Sequence, residues 1–110
     1  MQEKTLQELK DKHLRVVIMQ MVAHNHIQLT VCVEENSYQV VNNPSSCYVA
    51  NSLEQILKDL AAFTIDDFIL HLDPSCTLPE VSYPVDLIDF GNGIYYLRLA
   101  ARPQLKLVKS

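Results

Sequence analysis

The chain has 110 residues and a formal net charge of −4; 48% of its residues are hydrophobic and 20% are charged. This length predicts one domain over residues 1–110, and the hydrophobic content excludes a mainly disordered chain. The pI near 5.4 argues against a nucleic-acid binder, because such proteins need a basic face.

The first predicted element is a helix over residues 2–12. Thr5 and Glu8 have the spacing of a capping box, which is typical of a helix start. Leu6 and Leu9 lie three residues apart and form a narrow apolar face. Because so narrow a face does not stabilise an isolated helix, we expect this helix to pack on another element.

Residues 14–22 form the second predicted element, a strand that is apolar on both sides. Val16, Ile18 and Val22 point to one side, and Val17, Met19 and Met21 point to the other. Packing of the second set under the first helix would close the domain, whereas exposure of that set would create a dimer or partner interface. Methionine adapts to irregular partners, so the candidate interface residues are Val17, Met19 and Met21.

Two further strands are predicted after a polar break. Apolar residues alternate with polar ones from Ile27 to Val33, as in a strand with one wet face. A polar turn then leads to a short strand over residues 38–41. Together with residues 14–22, these segments predict an antiparallel meander.

The clearest helix pattern follows the next loop. Its apolar stripe consists of Leu53, Ile56, Leu57, Leu60 and Ala61. Either Ser52 with Gln55 or Asn51 with Glu54 supplies a capping box. We expect this helix to cover one face of the sheet.

The last third of the chain predicts three more strands. An apolar run over residues 68–72 is followed by an irregular, proline-containing stretch over residues 73–84. Residues 85–90 and 94–99 flank Gly91-Asn92-Gly93 and predict a hairpin, and residues 104–109 alternate like a final edge strand. The predicted fold is therefore α+β, in the order α-β-β-β-α-β-β-β: a mostly antiparallel sheet of five to six strands with two helices.

In size, acidic pI and element order, the chain is similar to the small acidic secretion chaperones of bacteria. That resemblance is one of architecture, and it implies binding of a partner protein. The chain departs from those chaperones because they usually end with a helix, whereas this sequence predicts strands at its end. No site residue is carried over from the resemblance.

Histidines supply the candidate chemistry. In an extended segment His24 and His26 point the same way, so both could reach one metal ion, with Cys47, His71, Cys76 or an Asp as a further ligand. Asp66, Asp67 and His71 also suggest an acid–base cluster. The simpler interpretation of His24 and His26 is a polar hairpin loop, since no diagnostic ligand spacing accompanies them. The simpler interpretation of Asp66, Asp67 and His71 is a solvated loop and strand face, since no nucleophile motif accompanies them.

The remaining motifs argue against a cofactor or a membrane. Cys32, Cys47 and Cys76 have no motif spacing and indicate reduced thiols in a cytoplasmic protein. The sequence contains two glycines, which are too few for a glycine-rich phosphate-binding loop. Residues 16–33 lack charges, but polar side chains interrupt them, so we expect no membrane span. The first twelve residues alternate acid and base, which is not typical of a secretory signal.

Charge is distributed unevenly. Residues 59–97 contain seven acids without Lys or Arg, whereas Arg98 begins a basic end of the chain. If the predicted hairpin forms, Asp86 or Asp89 lies near Arg98 and balances it within the chain. The alternative is an acidic surface for a basic partner or a metal.

The sequence predicts a small cytoplasmic, non-catalytic protein–protein interaction or scaffold domain. We expect it to bind itself as a homodimer or to bind another protein, and to bind no cofactor, nucleic acid or membrane. One alternative is a secretion-chaperone-like or regulatory binder of a partner protein. Another is a small metal-binding protein or enzyme that uses His24, His26, His71 and nearby acids.

Overall fold

A computed structural model of the chain describes residues 2–79 and 85–99. Within these residues the elements are β1 (Gln2–Thr5), β2 (His13–Ala23), β3 (His26–Val33), β4 (Asn36–Asn43), β5 (Ser46–Cys47), α1 (Leu53–Asp59), β6 (Thr64–Leu72), β7 (Val85–Asp89) and β8 (Ile94–Leu99). The prediction of an α+β fold with two helices and five to six strands is wrong. The described part of the chain is mostly β, with eight strands and one short helix.

All eight strands belong to one mixed sheet. Its order is β1-β4-β3-β2-β6-β8-β7, and β5 pairs with β4. Two neighbouring pairs, β1 with β4 and β2 with β6, are parallel, and the other pairs are antiparallel. The predicted mostly antiparallel pattern missed both parallel pairs, because each joins strands that are distant in sequence.

The predicted helix over residues 2–12 is wrong for a related reason. Gln2–Thr5 is an edge strand that pairs in parallel with β4. The capping interactions still form, since Thr5 N–H donates to Glu8 Oε1 at 2.9 Å and Glu8 N–H donates to Thr5 Oγ1 at 3.1 Å. They stabilise a short series of turns that buries Leu9. A full helix does not form because so short a helix is marginally stable, whereas the sheet edge gives residues 2–5 a ladder of hydrogen bonds.

The meander and the second hairpin are confirmed. β2 pairs with β3, and β3 pairs with β4, in antiparallel register. β7 and β8 form the predicted hairpin, and Gly91, Asn92 and Gly93 all have positive φ angles of 89°, 57° and 79°. Such angles favour glycine and asparagine, which explains this tripeptide at the turn.

The predicted second helix is confirmed as α1, and Ser52 is its N-cap. The Ser52 hydroxyl accepts a hydrogen bond from Gln55 N–H at 3.1 Å. Leu53, Ile56 and Leu60 are buried against the sheet. Leu57 is half-buried against the same core, whereas Ala61 is exposed beyond the end of α1. The stripe therefore covers one face as predicted, except for Ala61.

β6 begins at Thr64, four residues before the predicted apolar run. Asp66 and Asp67 consequently lie within a strand that pairs with β2, where an exposed or half-buried side chain suits an acid. The irregular stretch is observed over residues 73–79, whereas residues 80–84 lie outside the described residues. The predicted final strand over residues 104–109 also lies outside them. Without a first helix, the element order behind the resemblance to secretion chaperones is not present.

The sheet has two unlike faces. Side chains of α1 and Leu9 cover one face and form a core with the inward residues of β2, β3, β6 and β8. We call this the covered face. No described element packs on the opposite face, which we call the open face, and its side chains are mostly half-buried or exposed.

Candidate interaction surface

The three predicted interface residues lie on the covered face. Val17 and Met19 are 0% exposed and Met21 is 3% exposed, and all three belong to the core cluster. On β3 they oppose Val31, Leu29 and Ile27, and on β6 they oppose Phe68, Leu70 and Leu72. The strand alternation was predicted correctly, but the core takes this set and leaves Val16, Ile18 and Val22 on the open face.

A continuous apolar row crosses four neighbouring strands on the open face. Ile18 of β2 opposes Ile69 of β6, Ile69 opposes Tyr96 of β8, and Tyr96 opposes Ile88 of β7. All four side chains are half-buried in the chain itself. We call these residues the apolar row. On the other side of Ile18, the row continues as the polar residue Thr30.

A second row lies on the same face, two residues further along each strand, and we call it the charged row. Val16 of β2 opposes Asp67 of β6, and Arg98 of β8 opposes Asp86 of β7. Continuing the register of β6 and β8 places Asp67 beside Arg98. Arg98 Nη2 lies 3.2 Å from Asp86 Oδ2, which confirms the predicted balance across the hairpin. Because both side chains are about 60% exposed (62% and 59%), this pair adds little to stability.

Tyr96 links the apolar row to the charged row. Its hydroxyl donates to Asp67 Oδ1 at 2.7 Å. This hydrogen bond raises the pKa of Tyr96, with desolvation as a smaller cause. The bond gives Asp67 Oδ1 a donor on the open face.

Further apolar side chains border the apolar row on its other side. The Phe90 ring is 68% exposed and stacks on Tyr96, with 6.3 Å between ring centroids and 11° between planes. Ile94 and Val22 are 37% and 38% exposed. Large apolar side chains are thus most exposed at this end of the open face.

The candidate histidines also lie at this end of the sheet. His24 lies in the β2–β3 turn, His26 begins β3 and His71 lies near the end of β6. Among the described residues, no group of three His, Cys, Asp or Glu side chains is arranged to hold a metal ion.

The candidate acid–base cluster is only partly assembled. Asp67 and His71 share the open face, as predicted, but Ile69 separates them and Asp67 binds Tyr96. His71 instead lies near Asp73. The pKa of Asp73 is lowered mainly by the hydroxyl and amide of Ser75, and His71 contributes a smaller electrostatic effect.

The sequence patterns did not predict one polar contact. His13 Nε2 lies 2.8 Å from Asp66 Oδ1, and both side chains are about half exposed. They border an open depression of about 540 Å³ at the opposite end of the sheet, where Arg15 donates to the carbonyl of Glu34 at 3.0 Å. His13 and Asp66 are 53 residues apart, so only the parallel pairing of β2 and β6 brings them together.

The three cysteines are free thiols at separate positions. Cys32 lies on the open face, with Sγ 3.4 Å from Ser37 Oγ. Cys47 is exposed on β5, and Cys76 packs against the core. Their environments do not suggest a shared reactive centre.

Comparison with protein-family models, curated proteins and solved structures finds no match to this chain. None of the helices in the described ranges is both long and apolar enough to cross a membrane.

Proposed function

We propose that the protein is a non-catalytic protein–protein interaction domain whose binding surface is the open face. The apolar row supports this proposal best. It is a continuous line of Ile18, Ile69, Tyr96 and Ile88 on a face that no described element covers. Contiguous apolar surface rimmed by polar residues is typical of a protein interaction site.

The composition of the open face agrees with this function. Interfaces are enriched in aromatic residues and arginine, and they are poor in lysine. Tyr96 and Arg98 lie on β8, and Phe90 directly follows the neighbouring strand β7. The described part of the open face carries no lysine. A partner that covers Phe90 would find an aromatic anchor already ordered by its stacking on Tyr96.

Site-specific photo-crosslinking in cells tests the proposal. We would replace Phe90 with the phenylalanine analogue that carries a benzophenone, which keeps an aromatic ring at an exposed position. The matched control carries the same group at Lys58, which is exposed on α1. We expect discrete light-dependent protein adducts from position 90 and none from position 58. Adducts from neither position, or equally from both, would refute an interaction site on the open face.

A further inference from the structure

We propose that the open face pairs with the open face of a second copy of this chain, and this inference rests on the proposed function. The two apolar rows would stack against each other across a twofold axis. The axis would run parallel to the strands and pass between β6 and β8, so that each β6 faces β8 of the second copy.

The size of the open face suits this pairing. This axis brings four strands of each copy into contact, namely β2, β6, β8 and β7. Four strands spaced about 4.8 Å apart, with a mean length of about eight residues at about 3.3 Å each, give a contact area of about 500 Å² on each copy. The two copies together bury about 1,000 Å², which is at the lower end of the area expected of a specific interface.

The register makes the apolar row complementary to itself. The twofold axis reverses the order of strands but keeps the height along them. Ile18 then faces Ile88 of the second copy, and Ile69 faces Tyr96 of the second copy. Sheets pack face to face about 10 Å apart with their strands roughly aligned, which lets these side chains interdigitate.

The same axis makes the charged row complementary. Asp67 and Arg98 lie on β6 and β8, next to the axis on either side. Reversal places Asp67 opposite Arg98 of the second copy, and the contact occurs twice by symmetry. Like charges at these central positions are therefore avoided, and the electrostatic contacts favour this orientation over a shifted one.

Charge reversal tests this arrangement directly. In Asp67→Arg, arginine would face Arg98 of the second copy, and in Arg98→Asp, two aspartates would face each other. We expect each single variant to dimerise at least about tenfold more weakly than the wild type. An equimolar mixture of the two variants restores opposite charges at both contacts, so we expect it to form a heterodimer more tightly than either variant forms a homodimer.

Sedimentation equilibrium over a range of concentrations measures these affinities, and circular dichroism confirms that each variant is folded. Ile69→Lys should abolish the dimer because it places a charge at the centre of the apolar row. Ala62→Lys is the matched control, since Ala62 is exposed in the turn after α1, and it should leave the dimer intact. A monomeric wild type, a dimer that survives Ile69→Lys, or a mixture that does not recover would overturn the inference.

The crosslinking experiment separates this inference from the proposed function. An adduct at about 25 kDa, twice the chain mass of 12.5 kDa, supports both. Adducts of other masses from position 90, with a monomeric purified protein, retain the interaction function but overturn the second copy as partner. No adduct from position 90 overturns both.

Discussion

Gly93 and Gly91 offer a matched pair of substitutions in the turn that carries β8 against β6. Both glycines have positive φ angles, 79° and 89°, so alanine is strained at either position. They differ in their surroundings. A Cβ on Gly93 would lie 2.5 Å from the backbone oxygen of Leu72, whereas a Cβ on Gly91 would meet nothing within 4 Å.

The expected losses of stability follow from that difference. Gly91→Ala carries only the backbone strain, which is about 1 kcal/mol after the reduced entropy of the unfolded chain is included. In Gly93→Ala, the Leu72 carbonyl or the turn must also move. That movement disturbs the 2.7 Å hydrogen bond from Leu72 N–H to the Gly93 carbonyl. We expect a total loss of about 3 kcal/mol for Gly93→Ala.

Urea unfolding measures this difference. With a dependence of about 2 kcal/mol per molar urea, the midpoint of Gly93→Ala should lie about 1 M below that of Gly91→Ala. The protein concentration must be the same in each experiment, because association of folded chains raises apparent stability. Equal midpoints for the two variants would refute the steric argument and the close contact between the turn and β6.

Three further predictions concern single hydrogen bonds. Ser52→Ala removes the N-cap of α1 and should lower the free energy of unfolding by about 1 kcal/mol in urea titrations, whereas Ser52→Asp should retain most of it. The hydroxyl of Tyr48 donates to Asp59 at 2.5 Å. Burial is the larger cause of the raised pKa of Tyr48, and this hydrogen bond is the next. A tyrosine whose pKa is higher in the folded state stabilises the fold below the unfolded pKa of about 10, and this stabilisation is lost at higher pH. The stability of Tyr48→Phe should therefore decline less above pH 10 than that of the wild type, and equal declines would contradict this explanation. Ser75→Ala removes the hydroxyl but keeps the backbone N–H, so it should raise the pKa of Asp73 part of the way towards its ordinary value in carboxyl-carbon NMR titrations; an unchanged pKa would exclude the Ser75 hydroxyl as a cause.

The elements predicted correctly from the sequence are those that short-range patterns determine. The cap at Ser52 and the apolar stripe of α1 are local, and so are the alternation in β3 and the glycine-rich turn between β7 and β8. Residues 2–12 show where local signals fail, because the capping pair of Thr5 and Glu8 forms in a turn beside an edge strand. The stability gained from pairing with β4 depends on residues more than thirty positions away.

The candidate surface shows the same division. The sequence alone established that residues 14–22 present two apolar sides, with Val17, Met19 and Met21 on one and Ile18 on the other. The sequence patterns did not predict the parallel pairing of β2 with β6, which aligns Ile18 with Ile69. β8 and β7 then extend the sheet next to β6 and add Tyr96 and Ile88 to the apolar row.

Only the tertiary structure decided which side of β2 is core, because that depends on where α1 and Leu9 pack. Alternation along one strand fixes which residues share a side, since successive side chains point in opposite directions. Which side is then buried is a choice between two long-range arrangements of similar hydrophobic gain, and no local pattern distinguishes them.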